Sequence, residues 1–149
     1  MFKNFKFIGI ICFVLAAMVA FSSCSKPEKT IIGKWKITKA SLKIDGDEYC
    51  SSEDKGETWV FKDNGKCSLY ILYNDYEGKY TVRKNTLTID VEHDFGEGEV
   101  VTLSGDLDID EINKEEMSIS GTVEYRYDDN YYGDHETTKA KLAYEFEKK

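Results

Sequence analysis

The chain has 149 residues, a length that fits one domain with a core of its own. It carries 20 basic and 28 acidic side chains, a formal net charge of −8, which argues against binding to nucleic acid because phosphate contacts need clustered Lys and Arg. Aromatic residues make up 13% of the chain and there is one proline, Pro27, a composition typical of a domain built from paired strands.

The first 23 residues have the organisation of an export signal. Lys3 and Lys6 precede an apolar run of 15 residues, 7–21, and a spanning helix needs about 20. Small residues then lead to Cys24. This segment resembles a bacterial lipoprotein signal peptide that ends in a lipobox. The resemblance implies cleavage before Cys24 and a diacylglycerol on its thiol.

Such processing divides the chain into a signal peptide (1–23), a lipidated tether (24–30) and a folded domain (31–149). Burial of acyl chains, palmitate among them, contributes about 0.8 kcal/mol per methylene, so two or three chains would anchor the protein to a membrane. The tether carries only one acidic residue, Glu28, whereas an acidic run sends some related lipoproteins to the cell surface. The expected location is therefore the bacterial cell envelope, at the outer membrane and facing the periplasm.

From Lys34 onward, apolar residues recur with the period of two that is typical of half-buried strands. Trp35 and Ile37 share one face, whereas Leu42 and Ile44 follow the opposite phase. This change predicts a bulge within a long first strand.

The following strands are separated by short turns. Asp-Asn-Gly at residues 63–65 is a strong hairpin signal. Further turns are predicted at residues 74–78, 84–85, 92–99, 113–116 and 128–136. Strands joined by short loops pair antiparallel, which predicts an up-and-down meander of about eight strands. Such a meander removes its edges by closing into a barrel, and an open β-sandwich is the alternative.

Four motifs follow one another along the meander. Gly33-Lys34-Trp35 opens the first strand, and the aromatic stretch 59–66 contains the hairpin turn. Gly78-Lys79-Tyr80 is then followed by Asn85-Thr86-Leu87-Thr88. In this order and spacing, residues 31–147 are similar to the lipocalin-like domain of small bacterial lipoproteins. The resemblance implies a β-barrel.

The resemblance also assigns a position to the first tryptophan. In lipocalins this side chain packs at the closed end of the barrel, under a basic residue near the last strand. In this chain only Lys148 or Lys149 is available for that part.

An eight-stranded barrel is either filled by its own side chains or holds one small ligand. The resemblance implies a small, mostly apolar ligand. The candidate lining residues are the inward-facing positions Trp59, Phe61, Leu69, Ile71, Tyr80, Ile89, Val123, Tyr125, Leu142 and Tyr144. Core packing selects the same positions, so an interior pocket is what distinguishes a ligand carrier from a filled barrel.

Signatures of catalysis are absent from the sequence. It contains no Gly-x-Ser-x-Gly element, no Gly-rich phosphate loop and no His-Glu-x-x-His motif. The two histidines, His93 and His135, lie in predicted polar loops without the spacing of metal ligands. We therefore expect a protein that is not an enzyme and holds no metal or cofactor.

Cys50 and Cys67 remain after cleavage of the signal. An exported compartment permits a disulfide between them. Two free thiols are the alternative, because sequence alone does not establish the separation that a disulfide requires.

Tyr131 and Tyr132 lie in the longest predicted turn. Neighbouring exposed tyrosines contact sugars or partner proteins, and the alternative is that they fold over the barrel mouth as a plug. An envelope module that recognises a protein or a glycan through such loops, with a filled core, is thus the alternative to a ligand carrier.

Overall fold

The computed structural model describes residues 26–49 and 51–149. Within these ranges a short helix, α1 (Pro27–Thr30), precedes the sheet, and a 3₁₀ turn, Ser51–Asp54, lies between the second and third strands. The strands are β1 (Gly33–Ile44), β2 (Asp47–Tyr49), β3 (Thr58–Phe61), β4 (Lys66–Ile71), β5 (Asn74–Arg83), β6 (Thr86–Gly96), β7 (Glu99–Ile112), β8 (Glu116–Asp129) and β9 (Asp134–Lys148). Neither helical segment in this part of the chain has the length and apolarity needed to cross a membrane.

The sheet closes on itself. From β3 to β9 each strand pairs antiparallel with the next, and β9 returns to pair with β1 between Trp35 and Ile44. β1 also pairs with β3 near its start and with β2 near its end. Eight strands therefore form a closed barrel, and β2 is an additional hairpin arm. The predicted antiparallel barrel is confirmed, and the pairing of β1 with β9 excludes the open sandwich.

The first strand changes phase where the sequence pattern indicated. Trp35, Ile37, Leu42 and Ile44 are all buried, although the spacing from Ile37 to Leu42 is odd. The register with β9 shifts between Ile37 and Lys39, so the bulge turns both halves of the strand towards the core.

The turn after β4 lies earlier than predicted. Residues 74–78 belong to β5, and Leu72 and Tyr73 form the turn with φ values of 47° and 68°. Left-handed values at both central positions are typical of a type I′ hairpin, which Asn and Gly usually occupy. Because Leu and Tyr carry no such signal, the position of this turn was predicted wrongly, and Tyr73 is exposed.

Two other predicted loops are shorter in the structure. The turn between β6 and β7 comprises residues 97–98, and the turn between β8 and β9 comprises residues 130–133. The polar residues beside these two turns continue the backbone pairing of the adjoining strands. Backbone pairing does not require apolar side chains, so a prediction from hydrophobic alternation made these strands too short.

Candidate functional site

The two ends of the barrel differ in construction. The turns at residues 62–65, 84–85 and 113–115 lie at the same end as α1 and the C-terminus, which we call the tryptophan end. At the opposite end, the turns 97–98 and 130–133 together form what we call the rim.

Trp35 and Lys148 seal the tryptophan end. The Trp35 ring is 0% exposed, and its Nε1 donates a hydrogen bond to the Ile31 carbonyl oxygen at 2.7 Å. Lys148 Nζ lies 4.2 Å from the ring centroid and donates to the carbonyl oxygens of Thr30 and Ile32 at 3.1 and 2.6 Å. Partial burial lowers the pKa of Lys148. Lys148, rather than Lys149, therefore takes the part of the basic residue over the tryptophan.

The ten candidate lining residues share one interior, which they fill. Eight are at most 2% exposed, Tyr80 is 8% exposed, and Tyr125 is half-buried. The Trp59 ring lies 5.0 Å from the ring of Tyr144, and Phe61 lies 4.9 Å from Tyr80, measured between centroids. Side chains buried to this degree pack closely against one another, as in the core of a globular domain. The structure brings the predicted residues together as a core, and ligand binding by them stays a prediction.

A buried acid, Asp54, lies among these rings and was not identified from the sequence. It ends the 3₁₀ turn and is 1% exposed. Its Oδ2 accepts hydrogen bonds from the Tyr144 hydroxyl at 2.9 Å and the Leu72 backbone N–H at 3.2 Å. Oδ1 has no hydrogen-bond partner in the described part of the chain. Burial raises the pKa of Asp54, and the hydrogen bonds only partly oppose this effect.

Asp54 belongs to a segment that covers part of the barrel wall. The 3₁₀ turn packs against β1 and β4. Beside it, Ile37 exchanges backbone hydrogen bonds of 2.8 Å with Gly56 and Glu57. An acid in a polar stretch has no sequence pattern that indicates burial, which explains why this residue was missed.

At the rim, Tyr131 and Tyr132 are exposed on an ordered turn. They are 78% and 76% exposed, and their ring centroids lie 4.8 Å apart at an interplanar angle of 79°. Asp129 is 7% exposed, and its Oδ1 accepts hydrogen bonds from the backbone N–H groups of both tyrosines, at 2.9 and 3.1 Å. This exposure contradicts the alternative in which the two rings plug the barrel mouth.

The two turns of the rim are bound to each other. The Asn130 backbone N–H and side-chain Nδ2 both donate to the Gly98 carbonyl oxygen, at 3.1 and 3.2 Å. Next to this contact lies a groove of about 550 Å³. It is lined by Glu97, Glu99, Asp129, Tyr131 and Tyr132. We call it the rim groove.

Arg126 of β8 and His135 of β9 pair with a different acid. Arg126 Nε and His135 Nδ1 lie 2.7 and 2.8 Å from the two carboxylate oxygens of Asp128. The hydrogen bond from His135 is the main cause that lowers the pKa of Asp128, and Arg126 adds to it. The rim groove itself is therefore walled by carboxylates and tyrosines.

Two predictions about the cysteines are not tested by this geometry. Cys24 and Cys50 lie outside the described residues, and Cys67 is buried in β4 with no disulfide partner among the described residues. Burial raises the pKa of the Cys67 thiol to about 12. Lipidation of Cys24 and a disulfide between Cys50 and Cys67 thus stay predictions. Within residues 26–49 and 51–149, no group of three or more His, Cys, Asp or Glu is placed to hold a metal ion.

Comparison with known proteins agrees with this architecture. A family model described as a lipocalin-like domain matches residues 31–107, which is more than half of the 149-residue chain. No curated protein and no solved structure matched the chain. The matched residues run from the tryptophan end through β6 into β7, and the suspected resemblance is confirmed. The chain therefore belongs to the lipocalin-like domain family.

Proposed function

We propose that this protein is a lipid-anchored binding module of the bacterial cell envelope that acts without catalysis and recognises a partner through its rim. The proposal is supported by a contrast between the interior and the rim. The barrel interior is occupied by its own rings, whereas Tyr131 and Tyr132 are held outward beside the rim groove. Exposed aromatic residues on a preordered surface are typical of recognition sites.

The orientation of the barrel supports this role. α1 begins at Pro27, three residues after Cys24, and lies at the tryptophan end. An anchor on Cys24 would place that end next to the membrane, with the rim on the opposite side. Strands of 14–15 residues rise about 3.3 Å per residue and are tilted, so the rim would stand about 35 Å away. A partner in the aqueous compartment would have direct access to it.

The burial of Asp54 supports a role without catalysis. Asp54 is 1% exposed, and its Oδ2 is engaged by Tyr144 and Leu72, so a substrate has no access to it as the barrel stands. General acid or base catalysis requires the acid within hydrogen-bond reach of the substrate, directly or through one water.

Carriage of a small apolar ligand is the second candidate. Besides the family, one observation favours it. Oδ1 of Asp54 has no hydrogen-bond partner among the described residues, so the 3₁₀ turn buries a polar atom without full compensation, which weakens its packing on the barrel. A ligand that displaced the turn would reach Trp59 and Tyr144, which lie 5.0 Å apart.

Two measurements on the protein from bacterial envelopes separate these candidates. First, the photo-crosslinking residue p-benzoylphenylalanine replaces Tyr132, and intact cells are irradiated. The same replacement at Tyr73, an exposed tyrosine outside the groove, is the matched control. We expect a discrete adduct from position 132 and none from position 73. Second, native mass spectrometry before and after organic extraction should show protein without cargo. A discrete extractable mass, with no adduct at position 132, contradicts the rim proposal and supports carriage.

A further inference from the structure

We infer that the rim groove receives a cationic side chain, arginine or lysine, from a basic segment of a protein partner. This inference rests on the proposed function and names the chemistry of the partner. It depends on the composition of the groove, the geometry of its two rings and the way the turn is held.

The groove combines aromatic rings with negative charge. Three carboxylate residues and two tyrosines line it, and none of these five is cationic. A cation within about 6 Å of an aromatic face is attracted by the ring, and nearby carboxylates add to that attraction. Lys148 already makes such a contact with Trp35 at the other end of this barrel, at 4.2 Å.

The ring geometry leaves space for such a contact. Tyr131 and Tyr132 meet edge to face at 79°, so one ring turns its edge to the other and keeps its own faces free. Each ring is more than three-quarters exposed. The groove of about 550 Å³ is larger than a single side chain, so it fits a short peptide segment that delivers one cation to the rings.

The charges of the site favour a basic partner over other classes. Arg126 and His135 pair with Asp128 rather than with the groove carboxylates. Glu99 accepts a hydrogen bond from the Tyr127 hydroxyl and, with Glu97, places negative charge on the groove. A neutral glycan would stack on the tyrosines but would gain little from these carboxylates, and an anionic surface would be repelled.

The turn is ordered before any partner arrives. Asp129 binds the backbone of both tyrosines, and Asn130 binds Gly98 on the neighbouring turn. Preorganisation lowers the entropic cost of binding. Of the groove residues, Glu97 and Glu99 lie within the range that the family model matches, whereas Asp129, Tyr131 and Tyr132 lie beyond it.

The test uses the full protein in detergent, an arginine-containing peptide with a neutral Gly/Ser background, and the same peptide with citrulline in place of arginine. Isothermal titration should detect the arginine peptide, with weaker binding at higher salt. Tyr132→Ala and Glu97→Gln should each reduce affinity about fivefold or more, which corresponds to one cation–π or charge contact. Tyr73→Ala and Glu92→Gln, outside the groove, should leave it unchanged.

The outcomes also separate this inference from the proposed function. Equal binding of the citrulline peptide, or no effect of Glu97→Gln in a protein with an unchanged near-ultraviolet spectrum, overturns the cationic partner. Binding of a neutral oligosaccharide but not of the arginine peptide assigns the groove to a glycan instead. If position 132 forms an adduct in cells while the arginine peptide fails to bind, the inference fails and the proposed function stands. If both fail, neither stands.

Discussion

The ammonium group of Lys148 lies 4.2 Å from the centre of the Trp35 ring, which joins the last strand of the barrel to the first. The same ammonium donates to the carbonyl oxygens of Thr30 and Ile32, so one side chain connects both strands to the end of α1 and the residues that follow it. It caps the tryptophan end.

Replacement of Lys148 by Met should destabilise the fold. The apolar stem would remain, but the cation–π contact and two hydrogen bonds from a charged donor would be lost. We expect a loss of about 1–3 kcal/mol in the free energy of unfolding, measured by urea denaturation. Lys149→Met is the matched control and should change stability by less than about 0.5 kcal/mol. Equal effects of the two substitutions would show that Lys148 has no special role.

Asp54 should make stability depend on pH. Its pKa in the folded protein is raised, so the folded state binds the proton more tightly than the unfolded state does. The stabilisation from this proton is complete below the unfolded pKa of about 3.9 and is lost as pH rises through the folded pKa. Asp54→Asn keeps a neutral acceptor for Tyr144 and Leu72 at every pH. As the pH rises between about 4 and 8, the urea midpoint of the wild type should fall relative to that of Asp54→Asn.

Comparison of the wild type with Asp54→Asn removes the contribution of all other titrating groups to the pH dependence of stability. Parallel stability curves for wild type and Asp54→Asn would contradict a raised pKa at this position. Glu53→Asn changes an exposed acid of the same 3₁₀ turn and controls for the loss of a negative charge nearby.

The Cys67 thiol should be unreactive in the folded protein. With a pKa of about 12, roughly one molecule in ten thousand is a thiolate at about pH 8. Iodoacetamide should therefore leave Cys67 unmodified until denaturant is added, as peptide mass mapping would show. If Cys67 stays protected after unfolding and reacts only after reduction, the predicted disulfide with Cys50 is present instead. Rapid alkylation of the native protein would contradict the burial.

Gly78 should not tolerate alanine. A Cβ at this position would lie 2.1 Å from the Asp90 carbonyl oxygen and 2.8 Å from the Val91 Cα, on the neighbouring strand β6. Relief of that contact requires separation of two paired backbones, so we expect Gly78→Ala to cost about 3 kcal/mol, measured by thermal or urea unfolding. Gly46→Ala is the comparison, because its Cβ meets nothing within 4 Å. It should cost only about 1 kcal/mol, for the left-handed backbone. Equal losses would rule out the close approach.

Strand alternation and the first-strand bulge were predictable because burial with a period of two is a property of neighbouring residues along one chain. The same local rule failed at Leu72 and Tyr73. Their left-handed conformation is supported by contacts from outside the turn, among them the Asp54 carboxylate that accepts from the Leu72 N–H. Sequence patterns contain no record of such contacts.

The amino-acid order by itself determined the strand pattern, the antiparallel meander and the positions that face the core. Only the tertiary structure decided that the rings of Trp59 and Tyr144 contact each other, that Asp54 lies buried beside them, and that Asn130 binds Gly98 to complete the rim. Each of these contacts joins residues from different strands or turns. Their distances depend on barrel closure and register, which hydrophobic alternation within one strand does not specify.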